Sequence, residues 1–370
     1  MITKIDIENF KSIKDLTLEP RRLNLFMGVN GMGKSTAIQA LLLLRQSWMS
    51  SQLAKLNLNG ELVEIGRGSD ALYNFADNEQ ISFGVRNNDA ESGADEYLER
   101  TYSYQRYNDV LDLKDRKYEG NVHDWPLFDD EFVFLNAERL APATAYAMSY
   151  DKVVNNHSIG IHGELAAHFL SLYGDKLDVA KELCLDAAPT GRLMDQVVEW
   201  MKVISPGVYM RIQEIGEIDK VVLSYQFATD TIPTNAFRPT NVGFGISYIL
   251  PVLVACLCGL YKLIIIENPE AHLHPKGQAR MGELLARCAR SGVQLFVETH
   301  SDHIVNGIRV AVKNGVVDAR DVRINYFTKR IEDGETFTEN EEIKIGANGE
   351  LSSYPADFMD EWENQLMNLI

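Results

Sequence analysis

The sequence predicts an α/β fold assembled from both ends of the chain, residues 1–50 and 236–370, with an inserted α+β lobe at residues 51–235. Three observations predict it. First, an apolar strand at residues 22–27 (RLNLFM) runs into a glycine-rich loop and then an apolar helix from about Lys34 to Trp48. Second, residues 241–314 alternate helix, strand, helix, strand, helix, which signals a parallel sheet with helices on its faces. Third, the stretch between these regions lacks that alternation, being β-patterned at first and helical later.

Residues 2–9 and 15–19 alternate as two strands of a hairpin. Residues 56–66 and 79–87 carry β patterning, with turns at Gly60 and Gly66. The polar, acidic run at 88–99 (NDAESGADEYLE) reads as an exposed loop, and strands are expected near 101–107 and 131–135. Residues 160–203 read as helical, ending before Pro206, with strands at 208–215 and 220–227. The tail adds strands near 322–328 and 341–345 and a helix from about Asp357. There is no internal repeat, no low-complexity tract and no sustained heptad pattern, so no long coiled coil is expected.

With 370 residues the chain has room for one large domain or two smaller ones. Its formal charge of −17 gives a field that repels phosphate backbones, so contact with nucleic acid would need a local basic patch. Cys184, Cys256, Cys258 and Cys288 form no C-x-x-C pair, and reduced thiols are expected. The run at 246–266 (ISYILPVLVACLCGLYKLIII) is broken by Pro251, Gly259 and Lys262. It fits a buried helix followed by a buried strand better than a membrane span. No secretory signal is visible in MITKIDIENF, so a cytoplasmic protein with no membrane contact is expected.

Residues 28–36 (GVNGMGKST) fit the phosphate-loop pattern G-x-x-x-x-G-K-[ST], with Gly28, Gly33, Lys34 and Ser35 at the fixed positions. Glycine lets backbone N–H groups close around phosphate oxygens, and the following helix adds the positive end of its dipole. Lys34 supplies an ammonium for the β and γ phosphates, and the Ser35 hydroxyl a magnesium ligand. Residues 263–270 (LIIIENPE) form an apolar strand ending in Glu267, a second candidate for magnesium. Residues 297–301 (VETHS) place His300 at the end of another strand, where it could reach a γ-phosphate. The bland alternative is a surface histidine before a helix capped by Ser301. Residues 241–247 (NVGFGIS) put small residues ahead of a helix, either a second anion site or an ordinary turn with a serine cap. His272 and His274 in AHLHP lack a third ligand nearby and read as loop residues rather than a zinc site.

In this order the motifs resemble the ABC-type ATPases of the SMC, RecF and OLD group. IENFKSIKDLTLEP and GVNGMGKSTAIQAL look like that group's opening, while PEAHLHP and ETHSDHIVNGI look like its AAA-type, ABC-like subset of stand-alone prokaryotic ATPases. GELSSYPADFMDEW looks like the end of one branch of that subset. The resemblance covers residues 1–50 and 238–370 well. It implies ATP and Mg2+ as ligands. Gly28 to Thr36, with Asn30, Gly31 and Thr36, would be the phosphate loop, Glu267 the magnesium carboxylate, and His300 the switch histidine. Gly243, Gly245 and Ser247 would be the signature that meets the nucleotide of a second subunit, which implies a homodimer or an assembly of dimers. Asn136–Arg139, after EFVFL, looks like a loop that approaches the nucleotide in relatives.

Two departures stand out. The group's strand usually ends Asp-Glu, the Glu being the base; here the residues are Glu267 and Asn268. An amide cannot take a proton, so Asn268 could only orient water, with Glu270 as a substitute base or with slow hydrolysis. No OLD-type nuclease domain and no zinc hook is expected. The expected function is an ATPase that dimerises around ATP and controls a separate effector, a nuclease or toxin of an antiviral system. The alternative is a RecF-like DNA-repair ATPase that binds DNA through Arg100, Arg106, Lys114, Arg116 and Lys117, diluted by Asp112 and Asp115. A transporter subunit ranks below both.

Overall fold

A computed structural model describes residues 1–88, 93, 95–227 and 235–369. They divide into two compact units. The first holds Met1–Asp129, Arg320–Gly346 and Glu350–Ile370; the second holds Asp130–Ala319 and Ala347–Gly349. In chain order the elements begin with β1 (Ile2–Phe10), β2 (Ile13–Leu18), β3 (Leu23–Met27), α1 (Lys34–Ser51), β4 (Lys55–Asn57) and α2 (Gly68–Ala71). Next come β5 (Gln80–Asn88), β6 (Asp95–Ser103), β7 (Val110–Glu119), β8 (Phe132–Leu135) and β9 (Tyr146–Ala147). Then follow α3 (Ala166–Tyr173), α4 (Leu193–Ile204), β10 (Val208–Ile215), β11 (Lys220–Phe227), α5 (Phe244–Leu257) and β12 (Leu263–Glu267). The last are α6 (Pro275–Arg290), β13 (Gln294–Glu298), α7 (Asp302–Lys313), β14 (Val322–Glu332), β15 (Glu335–Ile343) and α8 (Glu361–Asn368).

In the first unit an antiparallel sheet runs in the order β2-β1-β5-β6-β7-β4. Its strands alternate buried and exposed residues, the mark of a sheet with one face packed and one wet. β3 is different: all of Leu23–Met27 is buried. It pairs in parallel with β14, Leu25 opposite Ile324 and Met27 opposite Tyr326, and β14 pairs antiparallel with β15. A strand covered on both faces needs the continuous apolar run that the sequence shows.

In the second unit β12 pairs in parallel with β13 and with β8, Ile265 lying opposite both Phe296 and Phe134. β10, β11 and β9 form an antiparallel set. Helix α5 is apolar around its whole circumference and buried from Ile249 to Leu257, as expected of a helix inside a domain. Among the described residues no helix is long and apolar enough to cross a membrane. α6 and α7 meet at glycines: a Cβ on Gly282 would lie 2.4 Å from the Ile304 carbonyl oxygen, and one on Gly307 2.1 Å from that of Ala279.

Four expectations are corrected. The strand expected at 56–66 ends at Asn57, because the Asn59 amide takes over the backbone of Gly66, accepting its N–H and donating to its carbonyl at 2.8 Å each. The acidic loop expected at 88–99 is already strand from Asp95, paired with β5 and β7; residues 89–92 and 94 lie outside the described residues. β7 was not anticipated, since its charged run at residues 114–117 hides the alternation. The helical run expected at 160–203 is interrupted after Tyr173, where Gln196 ties down a loop by accepting from Leu185 N–H and donating to the Thr190 carbonyl.

The α6–α7 contact gives a prediction. Gly307→Ala should destabilise the protein by about 1–3 kcal/mol, since the added methyl meets backbone that cannot rotate away. Chemical denaturation checks this, and unchanged stability would contradict the close approach.

Candidate active site

The glycine-rich loop lies between β3 and α1 in the first unit. Gly28, Gly31 and Gly33 take φ values of 134°, 79° and 103°, which side chains with a Cβ rarely adopt. The space is also closed to larger residues. A Cβ on Gly28 would lie 2.4 Å from the Phe327 carbonyl oxygen, and one on Gly33 would lie 2.3 Å from Thr338 Oγ1. Thr338 on β15 is buried; its hydroxyl donates to the Met32 carbonyl at 3.0 Å and sits 2.8 Å from Ser12 Oγ. The hairpin β14–β15 therefore forms the floor of the loop.

Lys34 begins α1 and is only 3% exposed. Its ammonium donates to the carbonyls of Gly28 and Val29, at 3.0 and 3.1 Å. Asn30, Gly31 and Ser35 are exposed, while Thr36 is buried. The N-cap of α1, Gly33, brings no side chain to the first-turn N–H groups. An ammonium arched over a glycine loop, at a helix N-terminus with an exposed hydroxyl beside it, suits a polyphosphate and its magnesium.

In the second unit Glu267 ends β12 and Glu298 ends β13, directly opposite each other in register. Glu267 Oε2 accepts from the Ala137 N–H at 3.0 Å. Arg139, 3% exposed, donates to the main-chain carbonyls of Glu267 and Asn268, at 2.5 and 3.1 Å. Burial pulls the Arg139 guanidinium down to about 10, against the opposing pull of the Glu270 and Glu267 carboxylates. Burial likewise raises Glu267, opposed by the Ala137 N–H and by Arg139. Asn268 turns the chain with φ 45° and donates its N–H to the Glu298 carbonyl at 2.8 Å. Glu270 Oε1 accepts from the His300 N–H at 2.8 Å. Asn268 Oδ1 and Glu270 Oε2 are buried without a hydrogen-bond partner among the described residues. Such acceptors fit a cation or a water donor.

His300 itself is exposed. Ser301 caps α7, accepting from Ile304 N–H at 3.1 Å, and donates to Gln278 at 2.5 Å. At the start of α5, Gly243 is exposed and open around its Cα, whereas a Cβ on Gly245 would lie 2.6 Å from the His272 carbonyl oxygen. Ser247 is buried and lines a small cavity of about 10 Å³ with Tyr146, Leu223 and Leu250. His272 packs edge-on against Tyr248, and His274 caps α6. Sequence reasoning passed over two residues of this cluster, Glu298 and the guanidinium of Arg139. Glu298 carried the same signal as Glu267, a carboxylate closing an apolar strand.

The basic residues considered for DNA are partly engaged. Arg100 is buried and donates to the carbonyls of Glu99 and Lys117, and the Lys117 ammonium pairs with Glu99 at 2.7 Å.

The loop geometry predicts that Gly28→Ala weakens nucleotide affinity by at least about tenfold, because positive φ and the Phe327 carbonyl both oppose a Cβ. Titration calorimetry with a nucleotide checks this; unchanged affinity would contradict the cradle.

Residues 1–119 match the family described as "AAA ATPase domain". Residues 213–306 match that described as "AAA domain, putative AbiEii toxin, Type IV TA system". Residues 317–369 match a "Protein of unknown function (DUF3696)". No curated protein matches the sequence significantly. Among solved structures, an SMC head bound to the C-winged helix domain of ScpA is similar with a TM-score of 0.57 at 14% identity, over 92% of this chain and 97% of that one. An SMC head with an extended coiled coil, bound to the C-terminal domain of ScpA derived from Pyrococcus furiosus, gives 0.52 at 12% identity, over 100% and 99%. Residues 1–119 and 213–306 thus match AAA-family ATPase domains, on a fold similar to that of SMC heads.

Proposed function

We propose that the protein binds ATP with Mg2+, hydrolyses it slowly, closes as a homodimer around the nucleotide and thereby controls a partner effector, a nuclease or toxin of an antiviral system. The observation that carries the reading is the glycine cradle with the Lys34 ammonium arched over it. The order of the motifs supports a nucleotide-binding domain drawn from residues 1–50 and 236–370, with 51–235 as its inserted lobe. The family description that names a toxin and a TA system supports the defence setting. The charge of −17 favours a protein partner over a phosphate backbone. The engagement of Arg100 and Lys117 gives direct DNA binding no added support.

In this reading Lys34 would neutralise the β and γ phosphates, and Ser35 and Glu267 would each supply an oxygen ligand to the metal. Magnesium, when bound, offsets the charge that builds up between the β and γ phosphates. His300 bonds the γ-phosphate. Asn268 orients the water and Glu270 takes its proton; the unpartnered Oε2 of Glu270 is the atom available for it. Slow turnover follows from an amide where the group's base usually stands. Of the signature, Gly243 and the exposed Phe244 face a second copy, while Ser247 packs inward and shapes the helix that presents them.

Lys34→Ala should weaken ATP binding about 100-fold, the worth of one or two charge-assisted contacts. Gly243→Arg places a long side chain in open space, so ATP binding should survive while the ATP-driven dimer is lost. Nucleotide titration with light scattering reads both. ATP affinity untouched by Lys34→Ala would sink the loop assignment, and dimers persisting in Gly243→Arg would sink the shared site. Glu270→Gln should slow phosphate release about 100-fold; release at the wild-type rate removes Glu270 from the mechanism.

A further inference from the structure

Arg139 is a buried cation to which the reading above gives no task. It lies on the loop that leaves β8, the strand beside β12. That loop grips the end of β12 at two points. The Ala137 N–H holds the Glu267 carboxylate, and the Arg139 fork spans the next two main-chain carbonyls, those of Glu267 and Asn268. A lysine could reach both carbonyls only by sharing one ammonium between them, as Lys34 does, and would lack the rigid planar fork that fixes their spacing. Burying a cation this far needs compensation, which the carboxylates of Glu267 and Glu270 provide. A residue serving stability alone would be better replaced by an apolar one of similar size.

The loop is anchored on its other side as well. Asn136 N–H donates to the Ile161 carbonyl and Leu140 N–H to the His162 carbonyl, each at 2.9 Å. His162 Nδ1 lies 2.5 Å from the Glu138 carbonyl oxygen. Gly163, next in the chain, abuts α5: a Cβ there would lie 2.1 Å from Pro251 Cγ. A continuous run of backbone bonds and one tight contact thus leads from α5, whose N-cap is Gly243, to the carboxylate that ends β12. Contacts of this density move together rather than deform.

We propose that Arg139 is a positioning residue for ATP hydrolysis: it sets how Glu267 and Asn268 leave β12 and carries a displacement of α5 to them. The proposal rests on the ATPase reading above. It is tested with Arg139→Ala and Arg139→Lys in the full chain. In nucleotide-free protein, amide hydrogen exchange at residues 267–270 should quicken about tenfold in both variants, with 263–266 unchanged. The turnover number should fall about 50-fold with KM within about threefold, and millimolar methylguanidinium should restore part of it to Arg139→Ala but not to Arg139→Lys. Turnover within twofold of wild type overturns the proposal. So does exchange that quickens along all of β12 while turnover and KM worsen together without rescue, the pattern of a purely structural residue. A Lys34→Ala control keeps the two readings apart. If that variant still binds ATP, the ATPase reading fails, while the exchange at 267–270 still judges the grip of Arg139.

Discussion

A buried ammonium held by two backbone carbonyls sets the shape of the loop on which nucleotide binding depends. Gly28 and Val29 turn their carbonyls toward Lys34, which helps it stay 3% exposed. Those carbonyls can turn only because glycine takes the positive φ values of the loop. The loop in turn rests on Phe327 and Thr338, residues from the other end of the chain, and the Thr338–Met32 bond spans 306 positions. The first strand, the loop and the late hairpin therefore form one object. A phosphate entering the loop would share the ammonium with the two carbonyls.

The second unit solves a different problem. It gathers Glu267, Glu298 and Glu270 near strand ends. Burial raises the cost of ionising Glu267. Arg139 and inward N–H groups offset part of it, and the orphaned oxygens of Asn268 and Glu270 mark where the compensation stops. A cation and a water would complete it. Of the residues given direct contact with ligand or partner, Ser35, His300 and Gly243 are exposed, whereas Lys34 is buried.

How much of this could be read from the sequence followed from how local each cause is. Residues 28–36 were legible because strand, loop and helix are consecutive and each glycine has a backbone reason. The runs LIIIE and QLFVE were legible as buried strands because a sheet covered on both faces needs continuous apolar side chains. β7 was hidden because the charged residues at 114–117 are all exposed, and a strand near a sheet edge needs few apolar ones. Ser247 read as a cap or a phosphate contact since serine commonly serves as both, but α5 is buried on nearly every side and turns the hydroxyl inward. Asn136–Arg139 could be read as a loop after a strand, but the partners of Arg139 could not. They are some 130 residues away, and only the pairing of β8 with β12 brings them together.

The central claim is that ATP joins two copies of this chain and is hydrolysed slowly. The most direct measurement is solution mass by light scattering, without nucleotide and with Mg-ATP, with phosphate release followed in the same sample. A doubling of mass from the 41.7 kDa chain, persisting over many minutes with little phosphate released, is the predicted result. An unchanged mass with rapid phosphate release would contradict it, placing a complete hydrolytic site within one chain.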